Sequence, residues 1–410
     1  MNFSPKHILL PFTFSVAGAA LASFSYAAET PPPEVEVREK QTVEALQQRI
    51  EELEITLNER LESLADAVEA NPSAEAVSSN RVHIGGYGEM HYNNLSIETN
   101  SETPDQDFRQ LELHRMVLFI GYEFNDWARF ITEFEVEHVL VSDGARGAVE
   151  IEQAYVELDL QKNMHLKTGV LLAPLGIINE THEPPTFYGV ERPIIETTII
   201  PTTWYGAGAS LKQSFDNGVT YDLMISEGLK TDDPTSNPNA EPFNLKQGKQ
   251  KASFAAAYDM AVTARVAYRG IKGLELSGYT QYQPDLDQSA EISYADAATL
   301  VGGHAIYQWD QFTAKALYAR WQLDGDAAAD AGKDVQDGGY IELAWKPAER
   351  WGLFARQSEW SQTEGESNSQ TDIGVSFLPL EDVVFKADYQ FQSGDTQETQ
   401  GFNLGVGYQF

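Results

Sequence analysis

From Val82 onward, apolar and polar residues alternate with a period of two, and no long segment has helical periodicity. The final stretch is the clearest example, because five apolar residues share one face: Phe402, Leu404, Val406, Tyr408 and Phe410. Such alternation gives a β-strand one apolar and one polar face. The pattern predicts about sixteen strands, at residues 82–93, 107–124, 127–141, 149–160, 164–172, 204–214, 218–227, 260–269, 273–283, 297–308, 311–322, 338–346, 350–361, 370–379, 383–393 and 400–410.

The connections between these strands alternate between short turns and longer polar loops. Turns such as 125–126 and 309–310 contrast with loops such as 94–106, 173–203 and 323–337. A transmembrane β-barrel has this organisation, with short turns on one side of the membrane and long loops on the other. Its apolar strand faces contact lipid, and its polar faces line a hydrated lumen. We therefore predict an all-β fold, a 16-stranded antiparallel transmembrane β-barrel over residues 81–410.

Aromatic residues near the predicted strand ends suit the two membrane interfaces, where Trp and Tyr are enriched. The examples are Trp127, Trp204, Trp351 and Tyr408. The alternative is that these residues form the core of a soluble β-protein. The polar faces of the strands, rich in Glu, Gln, Arg, Tyr and Gly, argue against such a packed core.

The N-terminal 80 residues have a different pattern. Residues 1–27 resemble a signal peptide, with a mainly apolar stretch over 8–22 and the small-residue cleavage pattern Ser25-Tyr26-Ala27. A membrane anchor is the alternative, but the stretch is short for a span of about 20 residues. Residues 28–80 combine a Pro-rich spacer with heptad-like apolar spacing, which predicts a coiled coil. A single amphipathic helix is the alternative. A coiled coil favours oligomers, with a trimer preferred, although the seam does not fix the number of chains.

Composition removes several classes of function. The chain has 62 acidic and 28 basic residues, a net charge of −34 and no cysteine. Nucleic-acid binding is excluded, since it requires basic surface to neutralise phosphates. Thiolate metal sites and cysteine nucleophiles are excluded as well. The sequence contains no Gly-x-Ser-x-Gly, His-Glu-x-x-His or phosphate-loop motif, so we expect neither an enzyme nor a cofactor.

A family resemblance rests mainly on two segments. Residues 176–192 read GIINETHEPPTFYGVER and residues 196–204 read ETTIIPTTW, and Phe410 resembles the assembly signal of outer-membrane barrels. The chain resembles Gram-negative outer-membrane porins, and more narrowly the phosphate-selective porin O/P family. The resemblance implies a trimeric barrel of sixteen strands in the outer membrane, with its third loop folded into the lumen. Porins with an N-terminal periplasmic coiled coil are known among relatives that pass dicarboxylates.

The charge distribution departs from this family. Residues 1–81 contain 6 basic and 13 acidic residues, which leaves 22 basic and 49 acidic residues for 82–410, a net charge of −27. Phosphate-selective members have rows of Arg and Lys in the pore, and no such basic ladder is evident here. The resemblance therefore favours anions, while the composition favours cations or neutral solutes.

The 173–203 loop is the candidate constriction. It is about 30 residues long and carries five prolines, and long loops in compact domains are usually functional. Charges of both signs in a narrow pore filter and orient solutes, because low-dielectric walls focus the electric field. Any one of these residues could instead brace the loop against the wall. The candidates from the loop are Glu180, His182, Glu183, Glu191, Arg192 and Glu196. The candidates from the strands are Arg115, Arg129, Glu133, Glu135, Tyr155, Glu157 and Lys167, together with Arg109 and Lys212.

The function expected from these features is passive, charge-filtered diffusion of small hydrophilic solutes, with phosphate or other small anions implied by the resemblance. Alternatives are a cation-preferring or general diffusion pore, and a structural outer-membrane anchor that uses a periplasmic coiled coil. The expected partners are the other chains of a homotrimer, outer-membrane lipid and lipopolysaccharide, and the solutes themselves.

Overall fold

The computed structural model describes residues 81–99, 106–140, 147–231, 243–288, 296–395 and 397–410. The predicted signal peptide and coiled coil lie outside these residues. The strands are β1 (Val82–Thr99), β2 (Gln106–Asn125), β3 (Ala128–Glu137), β4 (Val149–Gln161), β5 (Met164–Leu172), β6 (Tyr205–Ser214), β7 (Val219–Ser226), β8 (Ala261–Tyr268), β9 (Leu274–Gln283), β10 (Ala298–Trp309), β11 (Phe312–Leu323), β12 (Val335–Ala348), β13 (Trp351–Ser361), β14 (Asn368–Leu380), β15 (Val383–Gly394) and β16 (Gln397–Gln409). The helical segments are a 3₁₀ turn at Pro184–Thr186, α1 (Ile195–Thr198) and α2 (Asp326–Asp330).

Every strand pairs antiparallel with its neighbours in sequence, and β1 pairs with β16, which closes the barrel. The predicted all-β barrel of sixteen strands is confirmed. Closure leaves no open sheet edge, so each backbone polar group in the sheet can find a partner on an adjacent strand. Short turns and both ends of the strand sequence lie at one end of the barrel, and the long loops lie at the other. Among the described residues, no helix is both long and apolar enough to cross a membrane.

Some predicted strand ends were wrong. β1 runs on to Thr99 and β12 begins at Val335, so parts of the predicted loops 94–106 and 323–337 are strand. In β1 the apolar Leu95 and Ile97 have the same parity as the lumen-facing His91 and Asn93, yet backbone pairing continues up to the pair of Thr99 with Gln397. The predicted strand 127–141 is too long, because β3 ends at Glu137. His138 and Val139 follow with φ of 51° and 60°, left-handed values that end an extended strand.

The outward face of the barrel is apolar. In β7, Tyr221, Leu223 and Ile225 are exposed on the outside, while Asp222 and Met224 between them are buried towards the lumen. At the short-turn end, aromatic rings of adjacent strands stack in one row on this face: Tyr307, Trp309, Phe312 and Trp345. An apolar band flanked by aromatic residues is the surface that a lipid-facing barrel presents.

The predicted aromatic belt is correct in part. The rings of Trp127 and Trp351 are exposed on the outside. Trp204 is not, since it is only 4% exposed and packs inside the barrel against Trp321, with ring centroids 6.0 Å apart. The prediction for Trp204 failed because its position at a strand end does not reveal on which side of the wall its ring lies.

The lumen is also less uniformly polar than predicted. The 173–203 loop, called the inner loop below, packs through Ile195 and Ile199 against Met224, Leu300 and Trp321 on the lumen side of the wall. The indole nitrogen of Trp321 donates a hydrogen bond to the carbonyl of Ile199 at 2.9 Å. A continuous apolar core therefore fills the lumen beside β5–β13 at the level of the inner loop. The remaining polar space lies beside β1–β4, β14 and β15.

Candidate pore constriction

The inner loop reaches across the lumen to the opposite wall. A side chain at Gly407 of β16 would place its Cβ 2.3 Å from the Cβ of Pro184, so glycine permits the close approach of the loop's 3₁₀ turn. On the adjacent strand, Asp388 accepts a hydrogen bond from the backbone amide of Val190 at 2.6 Å. Lys386 donates to the carbonyl of Gly189 at 2.8 Å. The tip of the loop is thereby held to β15 and β16.

Glu196 braces the loop from within. One carboxylate oxygen accepts hydrogen bonds from the amides of Ile177 at 2.7 Å and Ile178 at 2.8 Å. The other accepts from the hydroxyl of Tyr340 on β12 at 2.8 Å. Glu196 is only 1% exposed. This candidate therefore fits the alternative role of a brace better than that of a pore-lining charge.

His182 connects the loop to carboxylates on the lumen side of β3 and β4, part of the acidic wall formed by β1–β4. Its Nδ1 lies 3.1 Å from the carbonyl of Asn179, and its Nε2 lies 3.3 Å from Glu133 and 3.6 Å from Glu152. Burial alone would lower the pKa of His182, but the bonds to Glu133 and Glu152 outweigh it and raise the pKa to about 9. At neutral pH both ring nitrogens therefore act as donors, and the imidazolium joins the loop to β3 and β4.

Two β-bulges add extra side chains to this wall. The register of β1 against β2 shifts at Glu89, and His114 is the additional residue on β2. The register of β3 against β4 shifts at Glu133, and Glu152 is the additional residue on β4. A bulge interrupts the strict alternation of faces. His114 and its neighbour Arg115 consequently both line the lumen.

Arg115 stands between two carboxylates of the same wall. Its Nε lies 2.8 Å from Glu89, and its Nη1 lies 3.3 Å from Glu135. All three side chains are nearly fully buried. Arg115 thus offsets part of the acidic charge of β1–β3 and is not available as an isolated anion site.

A cavity of about 930 Å³ lies between this wall and the loops. Seven carboxylates line it, against five lysine or arginine side chains. The carboxylates are Glu89, Glu112, Glu135, Glu137, Glu150, Glu152 and Glu191. The basic residues are Arg115, Arg192, Lys246, Lys249 and Lys251. Except for Glu191 and Arg115, the acids come from the barrel wall and the basic groups come from loops, so the cavity has an acidic side and a basic side.

Arg192, like Lys246 and Lys249, forms no ion pair in the described part of the chain. Its Nη1 donates to the hydroxyl of Thr203 at 2.9 Å, while Nε and Nη2 are buried without a hydrogen-bond partner. Burial and the nearby Arg115 lower its pKa, with Tyr87 and Glu89 acting in the opposite direction. Its guanidinium faces the cavity without a carboxylate within 4.0 Å among the described residues.

The lysines come from the loop after β7. Lys249 donates hydrogen bonds to the carbonyls of Thr202 and Thr203, which fastens this second loop onto the inner loop. Burial, together with the neighbouring Lys251, lowers the pKa of Lys249 to about 8 despite the acidic wall. Lys251 forms an ion pair with Glu150.

The other predicted loop residues have different environments. Glu180 pairs with Arg265 of β8 at 2.5 Å, and neither residue lines the cavity. The carbonyl of Glu183 accepts hydrogen bonds from the backbone and the hydroxyl of Thr186 and so starts the 3₁₀ turn. Glu191 lies 3.1 Å from His91 and accepts a bond from Asn93 at 3.0 Å.

The remaining predicted strand residues form a separate cluster towards the short-turn end. Arg129 pairs with Glu157 at 2.6 Å and with Asp159, and Lys167 lies 3.6 Å from Glu157. The ammonium of Lys167 sits over the ring of Tyr155, 4.8 Å from its centroid. These charges are brought together with one another but not with the cavity.

Arg109 and Lys212 do not join the constriction. The side chain of Arg109 is 66% exposed and contacts Asp107 near the long-loop end of β2. Lys212 lies 3.8 Å from Asp222, which also binds Arg265.

Several site residues were absent from the sequence-based prediction. His114 and Glu152 were missed because strict alternation cannot locate a bulge. Lys249 and Lys251 were missed because their loop carries no signal that it folds into the barrel. Arg265 follows the lumen parity of β8, so strand alternation could have identified it.

Comparison with known sequences gives limited information. No family model matches the chain. An uncharacterized protein of Aquifex aeolicus is 36% identical over 190 residues, which cover 46% of this chain and 41% of that protein. The match therefore spans about two fifths of that relative's length. The resemblance to the phosphate-selective family stays a prediction.

Comparison with solved structures identifies the fold. The anion-selective porin from Comamonas acidovorans matches with a TM-score of 0.55 and 10% identity over 80% of this chain and 99% of that chain. The outer membrane channel DcaP of Acinetobacter baumannii matches with a TM-score of 0.53 and 11% identity, covering 80% and 97%. Salmonella typhi OmpF in complex with daunomycin matches with a TM-score of 0.53 and 12% identity over the same shares. The fold is that of outer-membrane porins.

Proposed function

We propose that the protein is an outer-membrane porin through which small hydrophilic solutes diffuse passively. The observation that carries this proposal is a closed barrel, apolar outside, whose inner loop narrows the lumen to a cavity of about 930 Å³ lined by charged side chains. The porin fold of the compared structures supports it. Barrels of this class have their short turns in the periplasm, so the cavity would open towards the long, extracellular loops.

We further propose that the cavity favours cations and dipolar solutes over phosphate. Seven carboxylates outnumber the five Lys and Arg side chains, and two of these five, Arg115 and Lys251, are already paired with carboxylates. The other three, Arg192, Lys246 and Lys249, form no ion pair in the described part of the chain, but the ammonium of Lys249 is engaged with two carbonyls of the inner loop. A phosphate filter would need more positive charge than these three groups place opposite seven carboxylates. The acidic wall and the basic loops create a field across the pore that would align a solute carrying both charges.

Purified, folded protein in planar bilayers tests both parts. We expect discrete conductance steps, and a reversal potential in a potassium chloride gradient with the sign of a mild cation preference. Folded protein without conductance would contradict a pore. A reversal potential with the sign of an anion preference would contradict the proposed cation preference and favour the phosphate-selective interpretation.

A structural anchor is the second candidate, supported by the coiled-coil pattern over residues 28–80. It predicts that barrels lacking these residues fold but detach from the periplasmic cell wall, with conductance unchanged. A homotrimer and contacts with lipopolysaccharide belong to the proposal as well. Cross-linking of the intact chain in membranes tests the trimer.

A further inference from the structure

At the long-loop end of the polar space, Glu112, His114 and His138 meet in one cluster. The Nδ1 of His114 lies 3.1 Å from one oxygen of Glu112, and the Nδ1 of His138 lies 2.6 Å from the other. One donor atom from each residue lies within 4.8 Å of those of the other two. Two imidazoles and a carboxylate are a common ligand set for divalent transition metals.

Local structure brings these side chains together. The bulge at His114 turns its ring into the lumen beside Glu112, two residues earlier on β2. The amide of His138 donates to the carbonyl of His114 at 2.9 Å, which sets the end of β3 against β2. The left-handed φ of His138 then turns the chain away from the sheet. Backbone pairing therefore fixes two ligands within β2 and a third directly after the end of β3.

Neighbouring groups hold one ring in place. The ring of His91 stacks on that of His114, with centroids 4.6 Å apart and an angle of 11° between the planes. His91 itself uses both nitrogens, with Glu89 at 3.2 Å and Glu191 at 3.1 Å. It is therefore a positioning residue and not a ligand.

Three other groups of His, Asp and Glu in the described part of the chain could offer metal ligands, but one is buried with both nitrogens of its histidine engaged and the other two are paired with Arg or Lys. His182 is held as a donor by Glu133 and Glu152. Arg129 binds both carboxylates of the group Glu157, Asp159 and His165. The third group is neutralised by cations on each of its carboxylates: Glu135, Glu150 and Glu152 bind Arg115, Lys251 and His182.

Glu112 also has only histidines as ion-pair partners among the described residues, but its cluster differs from the His182 group in being reachable from solution, since the side chains of His182, Glu133 and Glu152 are at most 3% exposed. The side chains of Glu112, His114 and His138 are 18%, 19% and 29% exposed, so ions from solution can reach them. Glu112 and His114 line the cavity. Ions from solution can therefore reach the cluster, no Lys or Arg of the described residues pairs with its carboxylate, and it offers imidazole nitrogens and a carboxylate oxygen as metal ligands.

We propose that Glu112, His114 and His138 bind one divalent transition-metal ion of the Zn²⁺ class at the extracellular mouth of the pore. Water completes the coordination, and any proton on a coordinating nitrogen is released on binding. The bound ion adds two positive charges beside the acidic wall and so reduces cation passage. The site itself does not depend on conduction, whereas this effect on passage rests on the proposed porin function.

Isothermal titration of metal-stripped, folded protein with zinc chloride tests the site. We expect one Zn²⁺ per chain, and affinity at least about ten-fold weaker in His114→Gln and in His138→Gln, since each removes a ligand. His165→Gln is the matched control, because it changes a histidine that also contacts carboxylates, and it should bind like the unaltered protein. Retained heat-modifiable electrophoretic mobility verifies that each variant is folded. Absence of stoichiometric binding, or an affinity in both ligand variants equal to that of the unaltered protein, would overturn the proposal.

A bilayer measurement tests the consequence separately. Micromolar zinc should shift the reversal potential of the unaltered protein towards anions and leave that of His138→Gln in place. A shift of equal size in His138→Gln would overturn the assignment of the effect to this site. If no protein conducts, the porin function fails, while the titration still decides whether the metal site exists.

Discussion

The two sides of the lumen differ in what fills them. Beside β5–β13 the inner loop packs through Ile195 and Ile199 against Trp321 of β11 in a largely apolar core, whose buried carboxylate, Glu196, is bonded to Tyr340 and to loop amides. Beside β1–β4 and β14–β15 the wall is lined by Glu, His, Arg and Gln around the 930 Å³ cavity. We call these the apolar half and the polar half. One half therefore fixes the loop, and the other leaves the polar cavity through which the proposed function requires water and ions to pass.

The largest effect on stability is expected in the apolar half. Trp321→Ala removes a ring that is 1% exposed and that packs on Trp204. Truncation of a buried tryptophan costs about 3–5 kcal/mol, because the transfer energy is lost and a cavity remains. Denaturant unfolding of the barrel in lipid vesicles measures this. The comparison variant Gln392→Ala, in the polar half, should cost less than about 0.5 kcal/mol. Equal losses of unfolding free energy in the two variants would contradict the division of the lumen into an apolar and a polar half.

The next effect concerns His182, which joins the inner loop to Glu133 and Glu152 of the wall. The pKa of His182 is raised from 6.5 to about 9, so the protonated ring stabilises the docked loop. This contribution is complete below pH 6.5 and is lost as pH rises through about 9. Linkage gives it a size on the order of 3 kcal/mol. Unfolding free energies measured between pH 6 and pH 10 should fall across that window, and the fall should be smaller by this amount in His182→Gln. An identical pH profile in the variant would contradict the role of His182.

A smaller effect is expected for Arg192 in the polar half. Arg192→Ala removes a positive charge whose Nε and Nη2 have no hydrogen-bond partner. In a hydrated pore one charge is worth about 1 kcal/mol, so the ratio of cation to anion permeability should rise about five-fold. Reversal potentials in a salt gradient measure the ratio. Arg109→Ala is the control, since Arg109 contacts Asp107 away from the cavity, and its ratio should not change. Similar changes of the permeability ratio in both variants would show that Arg192 has no specific role in ion selectivity.

Much of the barrel could be predicted from the sequence because a period of two is a local property of each strand. β5 has the predicted bounds, and the alternation of turns and loops gave the strand number. The end of β1 was missed because its apolar residues, Leu95 and Ile97, have lumen-facing parity. The start of β12 was missed because Gln336 and Asp337 are polar and backbone pairing needs no apolar residues. The apolar half was missed because inward residues such as Leu300 and Trp321 are matched to a loop distant in sequence.

The candidate site was less accessible to sequence reasoning. Prolines identified the inner loop, and His182 and Arg192 were among its candidates. Whether Glu196 lines the pore or braces the loop depends on the position of Tyr340, which lies 144 residues away. The bulges at His114 and Glu152 depend on the register between strands and leave no mark in alternation.

The account's central claim is that ions pass through the polar half. The chain contains no cysteine, so a single introduced thiol is a unique reporter. Gln392→Cys places it on the cavity wall, and Ala319→Cys places it in the apolar core, where Ala319 is fully buried. A negatively charged thiol reagent should change the single-channel current of Gln392→Cys and leave that of Ala319→Cys unaltered. A current change in Ala319→Cys, with none in Gln392→Cys, would contradict the account.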